Sequence, residues 1–116
     1  MPVTPMKRKY GNTKTEIDGY IFDSKREASY YRELKYRKMA GEITEIKLQP
    51  VYELQPKFKH GKNILRPITY IADFEIILKN GKRQAIDVKG FKTRDYMLKK
   101  KLFMFIYPEI EFLEIK

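Results

Sequence analysis

The sequence predicts a single α/β domain, a mixed β-sheet flanked by helices, and three observations carry that expectation. The chain has 116 residues, the size of one ordinary domain, and 42% of them are hydrophobic, with 7 Phe and 9 Tyr to fill one core. Stretches of period-two alternation and stretches of helical spacing follow one another in the order hairpin, helix, strands, helix, strand. Cysteine is absent, which excludes a disulfide scaffold, a Cys-ligated metal and a thiol nucleophile. The single His60 leaves little room for an imidazole triad or a His-paired metal site. Chemistry in this chain therefore runs on carboxylates, lysines, hydroxyls or a metal.

Residues 1–14 are basic and polar with two prolines and Gly11, and read as a mobile arm; residues 15–116 form the domain. In Thr15 to Phe22, Asp18-Gly19 separates β-compatible residues and suits a tight hairpin turn. Ser24-Lys25-Arg26-Glu27 is a capping-box pattern, and Ala28, Tyr31 and Leu34 follow at helical spacing until Gly41 stops the helix. Ile43 to Leu48 alternates as a strand, Pro50 breaks it, and Val51 to Phe58 offers another before the turn-rich His60-Gly61-Lys62-Asn63.

In the stretch from Ile68 to Gly90, the residues Tyr70, Ala72, Phe74, Ile76 and Leu78 are apolar at period two, so they predict one strand with one core face. Asp73 points the other way. In the following strand Ile86 and Val88 take the apolar face and leave Asp87 and Lys89 on the opposite one. A two-residue turn at Asn80-Gly81 would set Asp73 against Val88 and mismatch the faces. A three-residue loop, Lys79-Asn80-Gly81, sets Asp73 across from Asp87, with Gly81 left-handed in a bulge, and is the expected register. Glu75 and Lys79 share that face and read as ordinary solvated strand residues. Thr93 is the expected N-cap of a second helix over Arg94 to Ile106 with Leu98, Leu102 and Phe105 on its buried face. Pro108 ends it, and Ile110 to Ile115 alternates as a last strand.

The formal net charge is +10, divided as +5 over residues 1–40, +1 over 41–80 and +4 over 81–116, so the excess sits at the two ends and suits a polyanion. No window approaches the roughly 20 apolar residues of a membrane span, and the start lacks an apolar signal core, so a cytoplasmic location without membrane contact is expected.

Two carboxylates side by side on adjacent strands repel one another, and a cation between them relieves this; Mg2+ or Mn2+ suits such oxygen ligands. A lysine on the same face, Lys89, can orient water or offset charge developing on a phosphate. Gly90 just beyond it permits a close approach. On Glu27 two readings stand together: an acidic group of the site, and the third position of the Ser24 capping box.

The pattern Asp73, thirteen residues, Asp87-x-Lys89, flanked by helices, resembles the PD-(D/E)xK nuclease superfamily. FDSKREA at 22–28, LQP at 48–50, RPITYIADF at 66–74 and DVKGFKT at 87–93 together resemble a small phage and prophage-encoded endonuclease family long labelled a domain of unknown function. One departure is Ala72 where the superfamily name implies Pro. The resemblance implies a restriction-endonuclease-like fold, with Asp73 and Asp87 as metal ligands, the Val88 carbonyl as a further ligand, Lys89 as the water-orienting or charge-stabilising group, and Glu27 as an acid that ligates or acts through water. It implies a Mg2+- or Mn2+-dependent DNA endonuclease acting on phage replication or recombination intermediates such as branched DNA, in the bacterial host cytoplasm. Gln49 in LQP lies near the site or bonds backbone. Arg66, Lys92, Arg94, Lys99, Lys100 and Lys101 are the candidate DNA contacts, and cutting two strands would call for a homodimer. The rival is a basic DNA-binding protein with this fold that is inactive or needs a partner.

Overall fold

The computed structural model describes residues 14–90 and 92–116; the N-terminal arm, apart from Lys14, lies outside the described residues. Its elements are β1 (Thr15–Ile17), β2 (Tyr20–Phe22), α1 (Lys25–Met39), β3 (Ile43–Leu48), β4 (Val51–Gln55), β5 (Phe58–His60), β6 (Asn63–Leu65), β7 (Ile68–Ile71), β8 (Phe74–Leu78), β9 (Arg83–Val88), α2 (Arg94–Ile106) and β10 (Ile110–Ile115). No helix among them is long and apolar enough to cross a membrane.

The frame is a four-stranded mixed sheet in the order β10-β9-β8-β3, with β10 parallel to β9 and the other pairs antiparallel. Helix α1 and the β1–β2 hairpin cover one face. There Ala28, Tyr31 and Leu34 meet Phe74, Ile76 and Ile86 in one core, with Tyr31 stacked on Phe74. The other face carries a second, aromatic core in which Phe103 of α2 meets Tyr52, Tyr70 and Ala85.

Local signals explain the ends of the elements. Asp18 and Gly19 have φ of 54° and 82°, which a two-residue turn of this hand requires. The Ser24 side chain accepts from the Glu27 N–H, and α1 closes with Gly41 at φ 87°, its N–H donating to the Lys38 carbonyl and that of Glu42 to the Arg37 carbonyl. Thr93 caps α2 by accepting from the Tyr96 N–H.

The expected β8–β9 register is present: Phe74 pairs with Ile86 and Ile77 with Arg83, which brings Leu78 opposite Lys82 and Asp73 opposite Asp87. Gly81, at φ 89°, donates to the Leu78 carbonyl to close the three-residue loop.

Three kinds of expectation need correction, the first of them the continuity of two strands. The single strand from 68 to 78 is two, because the chain bends at Ala72-Asp73 where its partner bends at Gln49-Pro50. Gln49 adopts φ 48°, its N–H donates to the Asp73 carbonyl, and the Ala72 N–H donates to the Pro50 carbonyl. The pairing of Leu48 with Phe74 and of Val51 with Ile71 keeps one register through the bend. Tyr70 and Ala72 consequently belong to the α2 core and Phe74 and Ile76 to the α1 core, so the apolar stripe serves two cores. The expected strand from Val51 to Phe58 is likewise divided, at Pro56.

Glu75 is the second correction, because it is buried at 2% exposure rather than solvated. It accepts from the Tyr52 hydroxyl and, through both oxygens, from Arg83 at 3.0 and 3.1 Å. Burial pushes its carboxyl up, but the Arg83 and Tyr52 hydrogen bonds outweigh that and hold it below the usual range. Third, α2 turns Phe103, not Leu98 and Phe105, into the core; those two are 58% and 82% exposed, because the aromatic shelf of Tyr52 and Tyr70 selects Phe103.

Candidate active site

The bend in β7–β8 delivers Asp73 to the α2 side of the sheet, and the hairpin register delivers Asp87 beside it. Their carboxylates are close enough to shift one another's proton affinity, and Glu27, in the first turn of α1, is close enough to act on Asp73. The Val88 N–H donates to Asp73 Oδ2 at 2.6 Å, and the Tyr70 hydroxyl donates to Asp87 Oδ2. Asp73, Asp87 and Tyr70 line a cleft of about 400 Å³ whose opposite wall is the first turn and a half of α2, with Thr93, Tyr96 and Lys99.

Burial is the main force on both acids. It raises the Asp73 carboxyl to about 7 against the pull of the Val88 N–H, and the Glu27 charge raises it further. Asp87 rises to about 6 through burial, against the Tyr70 hydrogen bond, with the Asp73 charge adding to the rise. Near neutral pH the pair therefore tends to share a proton, as two carboxylates do when nothing cationic separates them.

Glu27 is the third position of the Ser24 capping box and also lies near Asp73. Its Oε1 accepts from the Asp23 N–H at 3.2 Å while its own N–H is capped by Ser24 Oγ at 3.1 Å, and its charge acts on Asp73. At 7% exposure it is buried between the helix start and the cleft.

Lys89 departs from its expected position. The strand ends at Val88, and Lys89 adopts φ 60°, a left-handed conformation that breaks the alternation expected to align it with Asp87. Its N–H donates to the Ile115 carbonyl, its side chain is exposed, and it makes no ion pair among the described residues. The contact made by Val88 is through its N–H.

Of the expected DNA contacts, Lys99 lines the cleft and pairs with Asp95 at 3.7 Å. Lys100 is committed elsewhere: its ammonium meets Glu114 Oε1 at 3.0 Å and lies 5.4 Å from the Phe112 ring centre. Arg66, Lys92, Arg94 and Lys101 are exposed, with Arg66 on the far side of β7 from the bend.

Two groups beside the acids escape a reading of the sequence. Glu114 of β10 is the register partner of Asp87, so Asp73, Asp87 and Glu114 occupy one row across three strands. Its carboxylate accepts from the Tyr96 hydroxyl and from Lys100, and these bonds hold it below the usual range. Burial and the Glu114 bond together raise the Tyr96 phenol. A Cβ on Gly90 would stand 2.5 Å from the Tyr96 hydroxyl and 2.7 Å from Glu114 Oε2, so the close approach that Gly90 permits is made by these two side chains. The parallel pairing of β10 that brings Glu114 here leaves no local mark in the sequence. Gly90 was the available signal.

Among the described residues no group of three His, Cys, Asp or Glu side chains is arranged to hold a metal ion. The donors offered by Asp73 and Asp87 are hard oxygens, and Mg2+ is commonly held by one or two carboxylates with water in its remaining positions, so the pair fits such an ion. No curated protein and no solved structure matches the chain. Residues 7–115, nearly the whole chain, match the family described as a protein of unknown function, DUF1064, and the chain belongs to that family.

Proposed function

We propose that this protein is a divalent-metal-dependent DNA endonuclease of the PD-(D/E)xK type with a restriction-endonuclease-like core. The observation that carries the reading is the pairing of Asp73 with Asp87 at the cleft, two half-buried carboxylates with raised pKa values and no Lys or Arg ion-paired to either among the described residues. A partly desolvated like-charge pair lowers stability, and an ion bound there in function would account for its presence. Mg2+ or Mn2+ held there would supply a Lewis acid for a phosphate oxygen and water of lowered pKa.

The chain's own residues then have separate tasks. Asp73 and Asp87 hold the ion, Tyr70 and the Val88 N–H orient their oxygens, and Glu27 reaches the same centre from α1. Lys89, free of ion pairs among the described residues, is the residue placed by the resemblance at the charge developing on the phosphate. Lys99 stands at the cleft wall for a neighbouring phosphate. Replication or recombination intermediates such as branched DNA are the proposed substrates, on the resemblance, in a host cytoplasm.

A second reading, a DNA-binding protein that does not turn over alone, is favoured by one observation: Lys89 is turned out of the strand alternation by its positive φ. Supercoiled plasmid and a branched duplex incubated with Mg2+ or Mn2+, and then with EDTA, separate the two. Metal-dependent cutting that Asp87→Asn abolishes supports the nuclease; band shifts without cutting support the binder. Cutting that survives Asp87→Asn overturns the site.

A further inference from the structure

Between β4 and β7 the chain projects as a second, smaller ribbon, the β5–β6 hairpin. Gln55 pairs with Ile68 below it and Phe58 with Leu65 within it, and two residues on each strand lie between. Pro56 therefore falls opposite Pro67, and Lys57 opposite Arg66. Neither proline has an N–H to give, so the ladder is interrupted there and the tip is joined to its base through a proline pair. The base is braced: Tyr52 of β4 meets Phe103 of α2 at 4.7 Å between ring centres, and the Tyr107 hydroxyl donates to the Glu53 carbonyl at 2.8 Å. Thr69, Tyr70 and Ile71, on the β7 strand of this base, form one wall of the acidic cleft.

The charge of the ribbon is one-sided. Residues 55–68 contain Lys57, Lys59, Lys62 and Arg66 and no Asp or Glu, and all four cations are exposed with no ion pair among the described residues. The nearly neutral total over residues 41–80 conceals this block. Strand alternation places Lys57, Arg66 and Lys59 on one face and Phe58, Leu65 and His60 on the other. Lys57 and Arg66 fall opposite each other in the interrupted stretch, and like charges placed so repel unless an anion lies against them. Every residue of β5 and β6 is exposed and none belongs to either core, so the hairpin contributes little to holding the fold together.

We infer that the β5–β6 ribbon is a DNA-binding arm that enters a groove of duplex DNA next to the Asp73–Asp87 cleft, with Lys57, Lys59 and Arg66 against phosphates. The inference rests on the nuclease reading for its substrate class and names duplex, not single strand, as what that site receives. A two-stranded ribbon has the width that the major groove admits. Its cations would grip the backbone on either side while the base of the arm holds the scissile region against the carboxylates. Phosphate contacts of this kind position the duplex and carry no base sequence.

The test is binding without catalysis. A fluorescent duplex of about 30 base pairs and the matching single strand are titrated with the full chain in EDTA over a salt series. The wild type is compared with Lys57→Ala/Lys59→Ala/Arg66→Ala, its folding checked by circular dichroism. Loss of three phosphate contacts should shallow the salt dependence on duplex by roughly 2 to 3 units of log–log slope, weaken duplex binding by about tenfold or more, and leave single-strand binding within about threefold. An unchanged slope, or equal losses on duplex and single strand, overturns the arm. Because no metal is present, the outcomes remain distinguishable. A weakened triple variant in a protein that never cuts DNA keeps the arm and removes the nuclease; an unaffected variant in an active nuclease does the reverse.

Discussion

Asp73→Asn should make the metal-free protein more stable, and the size of the gain follows from the site. The Asp73 carboxyl is raised from 3.8 to about 7 in the folded chain, mainly by burial and then by Glu27. Between those values the folded state retains a proton that the unfolded chain has released, so stability is present near pH 4 and lost as pH rises through 7. At about 1.4 kcal/mol per pKa unit, the full penalty above pH 7 is bounded near 4 kcal/mol. Asparagine keeps an oxygen for the Val88 N–H and turns an amide toward Asp87, which removes the repulsion and leaves the backbone bond intact. Asp87 retains its own burial, so a gain of about 1 to 2 kcal/mol is expected, or about 5 °C or more in Tm for a domain of this size. The assay is thermal unfolding by circular dichroism in EDTA at pH 5 and pH 8. The variant should exceed the wild type at pH 8, the gap should shrink by more than half at pH 5, and excess Mn2+ should close it by stabilising the wild type alone. A variant no more stable than the wild type at pH 8, or a gap independent of pH, would refute the reasoning.

Other perturbations address the remaining parts. Arg83→Ala strips Glu75 of its bidentate partner at 2% exposure and should cost about 2 to 4 kcal/mol in denaturant unfolding, a cost that Glu75→Gln on the same background should reduce. Gly90→Ala places a methyl against Tyr96 and Glu114 and should cost about 1 to 3 kcal/mol in the same assay, with Tyr96→Phe recovering part of it. Ser24→Ala should lower stability by about 1 kcal/mol and leave DNA cutting intact, whereas Glu27→Gln, which keeps an oxygen for the Asp23 N–H, should hold most of the stability and lose cutting. Equal loss of cutting in both would reduce Glu27 to a capping residue.

The parts of the site that were legible in the sequence are those set by local patterning. Face matching around Asn80-Gly81 was enough to choose the three-residue loop and so to place Asp73 against Asp87, because a shift of one residue would have exposed an apolar stripe. Ser24 and Thr93 announced both helices through their caps. What escaped depends on distant pairing. The stripe from Tyr70 to Leu78 looked like one face because period two does not register a bend, and the bend comes from Gln49-Pro50 on the neighbouring strand. Glu75 looked solvated because the aromatic shelf and Arg83 that enclose it lie on other strands. Glu114 entered the row of acids through a parallel pairing across α2, and Lys89 left the alternation through one positive φ. Charge averaged over forty residues concealed the basic tip at Lys57 to Arg66.

The claim at the centre of this account is that Asp73 and Asp87 together bind a divalent cation, and Mn2+ binding followed by electron paramagnetic resonance tests it without DNA or turnover. The full chain should take up Mn2+ at pH 7.5 with loss of the free-ion signal, Mg2+ should compete for the same site, and Asp73→Asn and Asp87→Asn should each abolish uptake while remaining folded. Wild-type protein that leaves the free Mn2+ signal unchanged, or uptake that survives both substitutions, would contradict it.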